Sequence, residues 1–136
     1  MIQATRLTQE DALKMVLAGI DKARLESKDI AIAVVDEHGE LMAFLHTTHC
    51  NYASINIAMN KAFTAARDRK TTFELAKGCA EFGYQTTYFG DLRYTGFGGG
   101  VPVVFQNHVI GAVGVSGLTQ EEDEVYAKYA ISALDQ

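Results

Sequence analysis

Tryptophan is absent from this chain, proline occurs once, at Pro102, and cysteine twice, at Cys50 and Cys79. Two cysteines are too few for a disulfide framework, so the chain must stand on a packed core, and a reducing compartment suits it. A single proline beside 48% hydrophobic residues argues against a disordered chain. Positive charge is scarce as well: 12 Lys and Arg against 17 Asp and Glu leave a formal net charge of -5. That balance provides no electrostatic footprint for nucleic acid, and the small cluster of Arg67, Arg69 and Lys70 reads as a solvated helix end. No apolar run reaches membrane-spanning length, and Met1–Arg6 lacks the apolar core of a signal peptide. These absences lead to the expectation of a cytoplasmic protein with neither membrane nor nucleic acid as partner. At 136 residues the chain is expected to form one domain, 1–136, with a core of its own.

What is present is strong patterning. Thr8 and Asp11 form a capping box ahead of Ala12, Leu13, Val16, Leu17, Ile20 and Ala23 at helical spacing, ending near Ser27-Lys28. Ile30 to Val35 is apolar on both alternating faces, as in a strand covered on both sides. Asp36 to Glu40 is a turn, and Leu41 to Leu45 returns as the second strand of a hairpin. The polar stretch His46 to Asn51 precedes a long helix from Tyr52 or Ser54 to Arg67. Its alanine-rich buried stripe allows close approach to a sheet. Thr71 and Glu74 cap a shorter helix through Cys79. Periodicity dissolves from Phe82 to Gly100, where a short strand near Leu92 to Phe97 would fit among the aromatics. A second hairpin follows, Val101 to Phe105 and Val109 to Val115. Thr119 and Glu122 then cap the last helix. Two hairpins with flanking helices imply an α+β sandwich.

Several constellations invite a chemical reading. Gly96-Phe97-Gly98-Gly99-Gly100 resembles a phosphate loop in composition, but it opens onto Pro102 and a strand instead of a helix. Gly114-Val115-Ser116-Gly117 has the wrong spacing for a nucleophile elbow, and Ser116 reads as a turn residue. His46, His49 and Cys50 could ligate jointly only if the chain turns there, because strand residues three apart face opposite sides, whereas one of them alone could ligate a transition metal or haem iron. His38 and His108 fall in hairpin turns. Lys61 lies among Ala58, Met59, Ala62, Phe63, Ala65 and Ala66. There it either snorkels outward or meets something anionic.

Taken in order, Ala33-Val34-Val35-Asp36 with Gly39-Glu40-Leu41, Lys61-Ala62-Phe63-Thr64-Ala65, Gly99-Gly100-Val101-Pro102-Val103, Gly111 to Gly117 and Asp123-Glu124 resemble the GlcG/HbpS-like haem-binding family. That family includes the C-terminal domain of PduO. The resemblance spans nearly the whole chain. It implies a profilin-like fold with a five-stranded antiparallel sheet flanked by helices on both faces, often assembled into homo-octamers. It also implies haem or a related tetrapyrrole as the small-molecule ligand, and a place beside glycol, glycerol or propanediol utilisation. The positions matching the family's site region are Lys61 and Thr64, with Gly99 and Gly100. Lys61 would pair with a propionate, and Phe63 or the aromatics of the Gly83 to Phe97 loop would pack on the macrocycle. Because members ligate iron through a hydroxyl or a histidine, Thr64, His46 and His49 are the candidate axial ligands. Asn56 and Met59 stand where iron-handling members carry acidic residues. Two other functions remain open: an enzyme acting on a small carboxylate or aldehyde through Lys61, and a structural module for oligomerisation.

Overall fold

The computed structural model describes residues 5–134. In chain order it contains α1 (Gln9–Leu25), β1 (Ala31–Asp36), β2 (Leu41–His46), α2 (Ala53–Asp68), α3 (Thr72–Phe82), a 3-10 turn (Thr86–Phe89), β3 (Gly100–Phe105), β4 (His108–Ser116) and α4 (Gln120–Ser132). All three capping boxes are formed, at Thr8/Asp11, Thr71/Glu74 and Thr119/Glu122. Each satisfies two backbone donors that a helix start would otherwise leave open. The Met1–Arg6 segment read for a leader lies largely outside the described residues.

The strands form one antiparallel sheet in the order β2-β1-β4-β3. The five-stranded expectation is therefore wrong: four strands are present among the described residues. The segment around Leu92 to Phe97, where a further strand would fit, is irregular. Several of its backbone donors are taken by side chains. Arg93 N–H donates to Asp91 Oδ1, Thr95 N–H to Thr64 Oγ1, Phe97 N–H to Thr95 Oγ1, and Gly98 N–H to Gln120 Oε1. Groups committed to side chains cannot also form a ladder. Leu92, at the start of this segment, is 86% exposed.

Helices cover both faces of the sheet. On one side α1 and α4 pack through Met15, Val16, Tyr126, Ala127 and Ala130 against Ile30, Ile32, Val34, Val101, Val113 and Val115. On the other, α2 lays Ala58, Ala62, Ala65 and Ala66 against Ala31, Ala33, Val35 and Ala112. Burial of both faces explains the unbroken apolar run of β1. The α2 contact is unusually close. A Cβ on Gly114 would overlap the Ala58 carbonyl oxygen, and one on Gly100 would overlap that of Lys61. Both glycines thus make room for a helix backbone. The second hairpin turns at Gln106 and Asn107, both with positive φ, the two-residue turn whose twist matches its strands.

Candidate functional site

Helix α2 divides its face of the sheet into two troughs, and the sequence-predicted residues fall on both. Toward β3 lie Ile57, Lys61 and Thr64. Toward the edge strand β2 lie Met59, Asn60 and Phe63.

On the β3 side, Lys61 is 2% exposed. Its Nζ donates to the Val115 carbonyl at 2.8 Å and to Asp123 Oδ2 at 2.9 Å. Asp123, equally buried, accepts a further bond from Leu118 N–H at 3.0 Å on Oδ1. Burial pulls the lysine below its ordinary pKa and pushes the aspartate up, while each partner's charge works against that shift. Gly99, at φ +127°, passes so near that an added Cβ would stand 2.6 Å from Val115 O and 2.9 Å from Lys61 Nζ. Lys61, Gly99 and Gly100 are thus one packed unit. Asp123 completes it and went unrecognised as Lys61's partner. Its sequence signal is weak, an acid in the first turn of a helix 62 residues further on, although a lysine among alanines demands an anion. Above the pair lies an open groove of about 220 Å³, lined by Ile57, Lys61, Phe97, Ser116, Leu118, Gln120 and Asp123. Ser116 is not a turn residue. It ends β4 and is 6% exposed.

Thr64 is fully buried one turn along α2. Its hydroxyl donates to Asn60 O at 2.7 Å and accepts from Thr95 N–H at 3.0 Å. The bond from Thr95 holds the Arg93–Phe97 loop onto the helix, and the two together leave the hydroxyl committed inside the protein.

On the β2 side, Phe63 is 2% exposed. The guanidinium carbons of Arg93 and Arg67 lie 4.0 Å and 4.8 Å from its ring centre, and Tyr94 meets it edge-on. Arg93 is clasped by Asp91, whose carboxyl is thereby lowered to about 2. These residues border a groove of about 230 Å³, formed by Val35, Gly39, Glu40, Leu41, Met59, Asn60, Phe63 and Arg93.

His46 sits at the far end of β2, paired with Ala31 in the ladder. Its Nδ1 lies 2.8 Å from the Thr47 carbonyl oxygen. A carbonyl only accepts, so Nδ1 carries a proton and donates in this bond. Phe44 packs against the ring at 6.2 Å. His49 is exposed and Cys50 buried, its thiol pushed up by burial and donating to Asn51 O. His46, His49 and Cys50 do not form a metal cluster. No group of three His, Cys, Asp or Glu suited to a metal occurs among the described residues. His46 and Gly100 stand on opposite edge strands, three strand spacings or roughly 14 Å apart, so one chain does not bring them together. His38 and His108 are exposed at the hairpin ends.

Four antiparallel strands between two helical layers, with two open grooves along a central helix, define a small α+β domain. The family model described as haem degrading protein HbpS-like matches residues 7–132, and the chain belongs to this HbpS-like family. GlcG of Escherichia coli is 37% identical over 112 residues, covering 81% of each chain. The crystal structure of a double mutant of Streptomyces reticuli HbpS superposes with TM-score 0.90 at 30% identity, covering 100% of this chain and 92% of the other. A PduOC complex with haem gives TM-score 0.87 at 25% identity, covering 96% of both. No helix among the described residues is long and apolar enough to cross a membrane.

Proposed function

We propose that this protein binds haem or a related tetrapyrrole on the β2 side of α2, with His46 as the iron ligand. The observation that carries this reading is the Nδ1–H···O=C bond from His46 to Thr47. Such a bond fixes the ring orientation and leaves Nε2 as the ring's other nitrogen, the arrangement usual for metal-ligating histidines. Lys61 and Thr64 are already committed to Asp123, Val115, Asn60 and Thr95, so the histidine alternative is the one left open. Phe44 and Met59 would offer apolar surface to the macrocycle, and Arg93 would meet a propionate. The residues present fit the group: an imidazole, apolar walls and a guanidinium.

The groove of about 230 Å³ beside Met59, Phe63 and Arg93 does not include His46, which stands at the other end of β2, and it is smaller than the ~300–1,000 Å³ of pockets that enclose a ligand. One chain would therefore cover one face of the ligand, and a second copy of the chain would complete the site. Membership of the family and the haem complex of PduOC support the same reading. A role beside diol utilisation and residence in the cytoplasm belong to the proposal as well. Hemin titration tests it: a Soret band should grow to saturation with wild type and shift in position or fall in intensity with His46→Ala. A flat titration with wild type would overturn haem binding. An unchanged spectrum in His46→Ala would remove His46 from the iron.

A further inference from the structure

We propose that the groove on the β3 side of α2 is a second binding site, and that it takes a small neutral carbonyl compound. Three donors converge on it. Ser116 is 6% exposed and lines the groove, and its hydroxyl has no hydrogen-bond partner among the described residues. The hydroxyl is not among the atoms sealed from solvent without a partner, so it opens toward the groove it lines and can donate to a ligand or water there. Gln120 uses Oε1 to accept from Gly98 N–H at 2.7 Å, which leaves its amide NH2 as a donor at the rim. Lys61 places two of its three ammonium protons on Val115 and Asp123 and keeps one. The walls are apolar: Ile57, Phe97 and Leu118.

Charge decides the ligand class. Asp123 at 2.9 Å already balances Lys61, and no other charged side chain among the described residues lines the groove. A carboxylate entering here would lose its hydration with no net positive charge to receive it. A ketone or aldehyde oxygen accepts from Ser116 and Lys61 without that penalty, and its short alkyl groups meet Ile57 and Leu118. The volume of about 220 Å³ limits the ligand to a few carbon atoms. The site is independent of haem, because α2 stands between it and His46.

The test is an amide NMR titration of isotope-labelled protein with butan-2-one and, separately, with butyrate. The resonances to follow are the Gly98 and Gly117 backbone amides and the Gln120 side-chain amide. Saturable shifts with butan-2-one are expected, with butyrate weaker by about tenfold or more. Ser116→Ala should weaken butan-2-one binding about fivefold or more while leaving stability unchanged, because the hydroxyl has no partner in the fold. Ile57→Phe, which narrows the groove without touching a donor, should weaken it too. Equal or tighter binding of butyrate, unchanged binding in both variants, or no saturable shift with butan-2-one would overturn the proposal.

Discussion

Lys61 and Asp123 present two buried charges that are tolerable only together. Removing either leaves the other unpaired in the interior, which costs about 3–5 kcal/mol, whereas replacing both with apolar residues of similar size is often neutral or stabilising. Urea denaturation should therefore find Lys61→Met severely destabilised and Lys61→Met/Asp123→Leu close to wild type; equal losses in the two would refute a pairwise role. The single variant should also respond to pH in a defined direction. Burial raises the Asp123 pKa and Lys61 opposes that rise, so without the lysine it climbs further. The folded variant then holds a proton that the unfolded chain has released. Its stability should fall, relative to wild type, as pH rises from about 4 toward neutrality. A parallel pH profile in the two proteins would count against this. Thr64 acts differently, as a clip for the Arg93–Phe97 loop. Thr64→Val should cost about 1–3 kcal/mol and speed hydrogen exchange at Thr95, whose N–H loses its acceptor.

At the scale of elements, the contact of α2 with the sheet depends on what is missing from β3 and β4. Gly100 and Gly114 let two carbonyl groups of the helix approach the strand backbone. Gly114→Ala should push α2 away, costing about 1–3 kcal/mol or more, and thermal unfolding will read the loss. The alanine stripe on α2 was legible as a sign of close packing, and so were the three capping boxes, because both are local patterns. The extra strand was misread because the aromatic and β-branched content of Leu92 to Phe97 suits a strand equally well. Distant acceptors on Thr64 and Gln120 hold that segment as a loop, and local pattern does not report distant acceptors.

For the molecule as a whole, the outer edges of β2 and β3 have no strand partner among the described residues, and the proposed haem site has room for a second copy of the chain. If a second copy closes the haem site, native mass spectrometry should find hemin on oligomers and not on monomers. Hemin at about 100 times its Kd should then stabilise the fold by about 2.7 kcal/mol. Retention of hemin by monomers alone would refute the shared site.

The sequence by itself determined the layering, the two hairpins, the helix starts, the family and the short set of residues worth testing. These follow from periodicity, turn chemistry and motif order, all readable along the chain. Only the tertiary structure decided what each candidate is free to do. It set Asp123 against Lys61, Thr95 against Thr64 and Thr47 against His46, and so left the imidazole nitrogen of His46 open while it closed the other two. The physical reason is that a polar side chain's availability depends on whether folding has already supplied its partner. For Lys61 and Thr64 those partners lie 62 and 31 residues away.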